Sequence, residues 1–176
     1  GSGKTTLLNL AAGLTRPTNE RRLRGVLSGG LAGSVLFRFD AERVVRPGRA
    51  EGPAVGGTLS LMAALIGTPY EPAFGGSVLF LEEVGEPLYR LDRMLTQLRV
   101  SGRLRGVKAL ICGSLRGCGP AAERARSWRM MVAEAAAPET AIVVDLPFGH
   151  SARNLAFPIG AKVEVDTAAG VIRWSE

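Results

Sequence analysis

Three continuous apolar runs punctuate the chain from residue 77 on: SVLFLEE at 77–83, VKALICGSL at 107–115 and TAIVVDLP at 140–147. Continuity rather than alternation marks a strand buried on both faces of a sheet. Two segments with helical spacing separate these runs. In PLYRLDRMLTQLRVSG (87–102), Leu88, Leu91, Leu95 and Leu98 recur three or four apart with Met94 beside them. Pro87 suits the first turn of that helix and Gly102 its end. AAERARSWRMMVAEAAA (121–137) is the second helix. Strand and helix in alternation predict parallel strands joined by right-handed crossovers, an α/β fold. TLSLMAALIG (58–67) predicts another helix, stopped by Gly67, and the tail from Leu155 reads as short strands around a turn at Ala169 and Gly170.

The first third is less patterned. Residues 15–34 are polar, basic and Gly-rich, with room for one short helix. RPGRAEGPAVGG (46–57) is dense in Gly and Pro and reads as a boundary. The expected organisation is an atypical N-terminal segment at 1–43 and an α/β domain at 44–176 with short strands at its end.

A chain of 176 residues with 46% hydrophobic and 22% charged residues can bury one real core. No apolar run approaches the ~18 residues needed to span a bilayer. The apolar stretch at 7–14 follows Lys4 but lacks a small-residue cleavage site, which argues against a signal peptide. The first residue is Gly1 and not Met, so a fragment or processed product is expected. The net charge of +6 rests on scattered arginines, and aromatics are only 6%, so no base-stacking array accompanies the charge and no nucleic-acid partner is expected. Two cysteines, Cys112 and Cys118, with a single His cannot assemble a tetrahedral Cys/His metal site. Reduced thiols in a cytoplasmic protein, with no metal and no cofactor, are the expectation.

The opening GSGKTTLLNLAAGL invites a nucleotide reading. Gly3, Lys4 and Thr5 match the last three positions of a phosphate-binding loop, whose backbone N–H groups, Lys and hydroxyl hold phosphates and Mg²⁺. LSGG at 27–30 and VLFLEE at 78–83 resemble the signature and acidic strand of ABC-type ATPases. The spacing argues against it. Fewer than 25 residues separate the loop from the signature, and about 50 separate the signature from the acidic strand. An ATPase fragment remains the alternative reading.

The chemistry gathers at two strand ends. Glu82, Glu83 and Glu86 follow one apolar run, and His150 follows another. Parallel strands would bring both to one edge, where ligand sites of open α/β sheets lie. A carboxylate that orients an imidazole, which then acts as general base, is two-thirds of a serine-hydrolase triad. The plain alternative is a surface His and a helix-capping Glu86 before Pro87.

The runs VVRPGRAEGPAVGGTLSLMAALIGTPYEP, GGSVLFLEEVGEPLYRLDRMLTQLRVSGRL and VDLPFGHSARNLAFPIGAKVEVD lie in order across about 44–166. Together they resemble the C-terminal half of the LD-carboxypeptidase family, which includes the microcin C self-immunity peptidases. The resemblance implies a cytoplasmic, metal-free serine peptidase with a Ser–Glu–His triad, one that cleaves an L-to-D amide bond and releases D-Ala from murein tetrapeptides during cell-wall recycling. It implies a muropeptide substrate and a homodimer as partners. The triad Glu falls on Glu82 and the triad His on His150. Glu83 stands where the family often has Asp. Glu86, Tyr89, Arg90, Asp92 and Arg93 fall in a stretch expected to hold helix to strand, and Asp145 is expected to be structural. Thr58 departs from the family's Gly-Gly-Asn.

The family's nucleophile lies in an N-terminal domain, on a Gly-rich turn that supplies the oxyanion hole. Only 81 residues precede Glu82 here, and no G-x-S-x-G elbow occurs. Ser2 and Ser28 are the serines in Gly-rich turns before it. The opening segment is therefore read as a remnant of that domain or a spliced phosphate-loop-like piece, and the chain alone is expected to be inactive for want of a nucleophile. A non-catalytic muropeptide-binding module is the third reading.

Overall fold

The computed structural model describes residues 17–175. Helix α1 (Pro17–Leu27) leads to strand β1 (Val35–Arg38), a 3₁₀ turn (Ala41–Arg43), β2 (Val44–Arg46) and β3 (Arg49–Thr58). Three crossover units follow: α2 (Leu59–Ala64) and β4 (Val78–Val84), α3 (Leu88–Val100) and β5 (Ala109–Arg116), α4 (Ala121–Ala135) and β6 (Ala141–Val143). The hairpin β7 (Lys162–Asp166) and β8 (Val171–Trp174) closes the chain.

The strands form one eight-stranded mixed sheet in the order β1-β8-β7-β3-β4-β5-β6-β2. The four central strands, β3 to β6, are parallel and consecutive. Consecutive order with one crossover hand puts every connecting helix on one face. Leu59 and Met62 of α2, Leu91, Leu95 and Leu98 of α3, and Trp128 and Val132 of α4 accordingly pack on Leu79, Leu81, Leu110 and Ile142. The three α3 leucines are at most 1% exposed, and burying each contributes about 2 kcal/mol. The opposite face holds Phe37, Phe80, Phe148 and Phe157, with Phe80 and Phe157 stacked at 4.4 Å between centroids.

The boundary read at 46–57 is corrected: β3 runs through it. This strand changes partners midway, pairing with β7 over 49–53 and with β4 over 54–58. Pro53 ends the β7-paired half, ahead of the first β4 pair, Ala54 with Val78, so its missing N–H breaks no bond to β4. Gly52 and Gly56 mark close backbone approach, since a Cβ on either would collide with the carbonyl oxygen of Gly76 or Phe80. The sheet also extends ahead of residue 44, because β1 pairs with β8.

Strand β6 is shorter than the apolar run at 140–147. It stops at Val143, and Asp145 takes a left-handed φ of 60°. Leu146 N–H then donates to Cys112 O at 3.0 Å. The chain turns across the end of β5 and carries residues 147–150 toward β4.

Candidate active site

Glu82 and Glu83 are neighbours on β4, so the pleat sends their side chains to opposite faces. Glu82 follows Phe80 onto the aromatic face, and Glu83 follows Leu81 onto the helix face. Both are buried, at 7% and 1% exposure. The β4–β5 register slips between Leu81 and Glu83. Such irregularities re-aim side chains at strand ends.

Each carboxylate has its own partners. Glu83 Oε2 accepts the Ser60 N–H at 2.8 Å and Oε1 accepts the Val84 N–H at 2.9 Å, which fixes the first turn of α2. Glu82 Oε2 lies 2.7 Å from His150 Nδ1 and accepts the His150 backbone N–H at 3.2 Å. Its Oε1 accepts the Thr58 hydroxyl at 2.8 Å. A carboxylate facing Nδ1 selects the tautomer that carries its proton there, which leaves Nε2 as the basic nitrogen. The His150 side chain is 28% exposed, and that of Glu82 only 8%.

The loop bearing His150 is held on several sides. Phe148 anchors it in the aromatic face, 5.6 Å from Phe80 and 5.3 Å from Phe157 between centroids. Phe148 O accepts the Ser114 N–H at 3.0 Å. Gly149 N–H donates to Asn154 Oδ1 at 3.1 Å. Asn19, buried on α1, donates to Ala152 O at 3.2 Å and accepts the Asn154 N–H at 3.3 Å. Beside the Glu82 carboxylate opens a cavity of about 240 Å³, walled by Gly56, Gly57, Phe80, Phe148 and Phe157.

Residues 51–165 match the model of the LD-carboxypeptidase C-terminal domain. The chain belongs to the LD-carboxypeptidase family. It is 41% identical over 130 residues to the murein tetrapeptide carboxypeptidase of Pseudomonas aeruginosa, an alignment covering 72% of this chain and 41% of that protein. The muramoyltetrapeptide carboxypeptidase of Oxalobacter formigenes superposes with a TM-score of 0.73 at 26% identity, over 89% of this chain and 54% of that one. The microcin C7 self-immunity protein MccF, solved with glutamyl sulfamoyl guanosine, shares the fold at a TM-score of 0.67 and 21% identity, over 76% of this chain and 40% of that one. The chain spans 39–46% of the length of the first curated relatives it matches.

Within this LD-carboxypeptidase domain, Glu82 and His150 come together from strand ends 68 positions apart in sequence. The stretch expected to tie helix to strand does something else. Tyr89, Asp92 and Arg93 are exposed, and Glu86 pairs with Arg90 on the helix surface at 3.1 Å. The buried leucines hold α3 to the sheet instead. Asp145 uses its backbone, its carbonyl accepting from the Arg43 guanidinium. Ser28 lies in the exposed turn after α1, its hydroxyl donating to Gly25 O at 3.3 Å. Ser2, Gly3, Lys4 and Thr5 lie outside the described residues.

Asn19 and Asn154 are contributors that sequence reasoning did not assign to the site, and Thr58, which stands out in sequence as a departure from Gly-Gly-Asn, meets Glu82 through its hydroxyl. No periodic signal marks the asparagines: Asn19 meets Ala152 and Asn154 far along the chain, and Asn154 meets Gly149 within an irregular loop. Among the described residues no group of three or more His, Cys, Asp or Glu could hold a metal ion, and no helix is long and apolar enough to cross a membrane.

Proposed function

We propose that this domain supplies the acid–base half of a serine carboxypeptidase that releases D-Ala from murein tetrapeptides. The observation that carries the reading is the 2.7 Å approach of His150 Nδ1 to the buried Glu82 carboxylate, beside an open cavity at the carboxyl edge of parallel strands. The family membership and the relatives' murein peptide chemistry support it.

In this reading a seryl hydroxyl attacks the carbonyl carbon of the bond joining diaminopimelate to D-Ala. His150 Nε2 takes the hydroxyl proton, and Glu82 stabilises the imidazolium that forms. The C–N bond then breaks, and the imidazolium returns the proton to the amine of departing D-Ala. Water attacks the acyl-enzyme, Nε2 takes its proton, and the serine leaves with that proton restored. No proton passes to Glu82 at any step. The buried setting of its carboxylate strengthens its hold on the imidazolium.

The test is D-Ala release from L-Ala-γ-D-Glu-meso-diaminopimelate-D-Ala, followed by mass spectrometry. The chain is assayed alone and with an added N-terminal half from a relative, each with and without His150→Ala. Release that needs the added half and vanishes in H150A is the expected result. Release that survives H150A overturns the reading, as does no release from the wild-type domain with the added half in a folded complex.

A further inference from the structure

Thr58 occupies the N-cap position of α2, with extended φ and ψ of −66° and 130°. A threonine there ordinarily turns its hydroxyl onto an N–H of the first helical turn. This one makes no such cap. Glu83 takes over the task, accepting the N–H of Ser60, the second helical residue, at 2.8 Å. The hydroxyl released from capping donates instead to Glu82 Oε1 at 2.8 Å.

The consequence concerns the other carboxylate oxygen. The terminal torsion of a glutamate is soft and roughly two-fold. A donor fixed on Oε1 removes that freedom and leaves Oε2 facing His150 Nδ1 at 2.7 Å. We infer that Thr58 is a positioning residue for the Glu82–His150 pair: its hydroxyl locks the carboxylate rotation that holds the proton on Nδ1. Glu83 makes this arrangement available by capping α2 in its place. The inference rests on reading that pair as the working acid–base unit, and it assigns Thr58 no contact with substrate.

His150 is the single histidine of the chain, so its ¹⁵N signals read the imidazole tautomer without overlap. The experiment measures the ratio of Nδ1–H to Nε2–H forms at a pH where the ring is neutral. Wild type is compared with Thr58→Val, Thr58→Ala, Thr58→Ser, Glu83→Gln and Glu82→Ala. In T58V and T58A the ratio falls about fivefold, the value expected for losing one ordinary net hydrogen bond, and T58S restores it. E83Q lowers the melting temperature and leaves the ratio unchanged, since it weakens the cap and not the carboxylate lock.

A wild-type ratio retained in both T58V and T58A, with E82A collapsing it, overturns the role of Thr58 and leaves the pair intact. An unchanged ratio in E82A overturns the pair itself, and with it the proposed function. A ratio that falls in E83Q as much as in T58V overturns the division of labour, because the effect would then follow helix fraying. T58A keeps the test open should the valine methyl distort the fold, and the dispersion of the same spectra reports folding.

Discussion

Gly149 stands directly against the Glu82 carboxylate: a Cβ placed on it would lie 2.6 Å from Glu82 Oε2 and 2.8 Å from Glu82 Cβ. Its φ of 92° lies where L side chains are strained. Gly149→Ala therefore forces the loop and the carboxylate apart. The expected loss is about 2 kcal/mol or more from backbone strain and overpacking together, measured by urea unfolding. The same variant shifts the His150 ring signals toward those of a free imidazole. Wild-type stability with wild-type ring signals would mean that the loop can withdraw without cost.

The adjacent acids should respond differently to the same change. In the proposed mechanism, Glu82→Gln removes the charge that stabilises the imidazolium and selects its tautomer. In an active assembly it lowers kcat by about 10⁴, the scale set by the corresponding change in a serine-peptidase triad. Glu83→Gln weakens the contacts to Ser60 and Val84 N–H. It costs about 1–2 kcal/mol of stability and leaves most of the activity. Steady-state kinetics and thermal melts on both variants check the pairing of effects, and a reversed pattern would exchange the assignments.

Acid should loosen the terminal hairpin. Asp166 is held below the usual carboxylate range, foremost by the Ala169 N–H, with Arg49 and the Ala168 N–H adding to the effect against the opposing cost of desolvation. Its Oδ1 accepts both turn N–H groups at 3.0 Å, and Arg49 lies 2.7 Å from Oδ2. A carboxyl with a lowered folded-state pKa binds protons later than its unfolded form. Its stabilisation is thus complete above the ordinary carboxylate range and disappears as pH falls through the lowered value. Asp166→Asn flattens the acid limb of a plot of Tm against pH and lowers the neutral plateau. Parallel acid limbs in the two proteins would assign the dependence to other carboxylates.

Both cysteines should resist thiol reagents in the folded protein. Cys112 and Cys118 are unpaired and buried, and burial pushes both thiols up from their ordinary range. The reactive thiolate is scarce and out of reach. Labelling with an aromatic disulfide proceeds only at the rate of opening, and denaturant releases both groups. Fast modification of either residue in the native state would show that β5 or the turn after it opens locally.

The parts of this fold legible in sequence are those whose neighbours along the chain decide them. The leucine spacing of α3 and the apolar runs of β4 and β5 are local patterns, and they appear in the structure with ends shifted by a residue or two. The RPGRAEGPAVGG stretch misleads for a specific reason. Glycine and proline ordinarily break strands, yet in β3 they answer to Gly76 O, Phe80 O and a change of partner at Pro53. Those neighbours lie outside any local window. The apolar run at 140–147 overstates β6 because the left-handed turn at Asp145 depends on Arg43 and Cys112, both remote in sequence.

By itself the sequence determined the alternation of strand and helix, the family likeness and the two residue types that carry the proposed chemistry. All of these follow from side-chain spacing and short motifs. The resemblance puts the triad Glu on Glu82, and only the tertiary structure supplies the physical reason why that acid and not Glu83 faces His150. The pleat sends Glu82 and Glu83 to opposite faces, and identical carboxylates acquire different work from what each face presents: an imidazole and a threonine hydroxyl on one side, the Ser60 N–H of a helix start on the other.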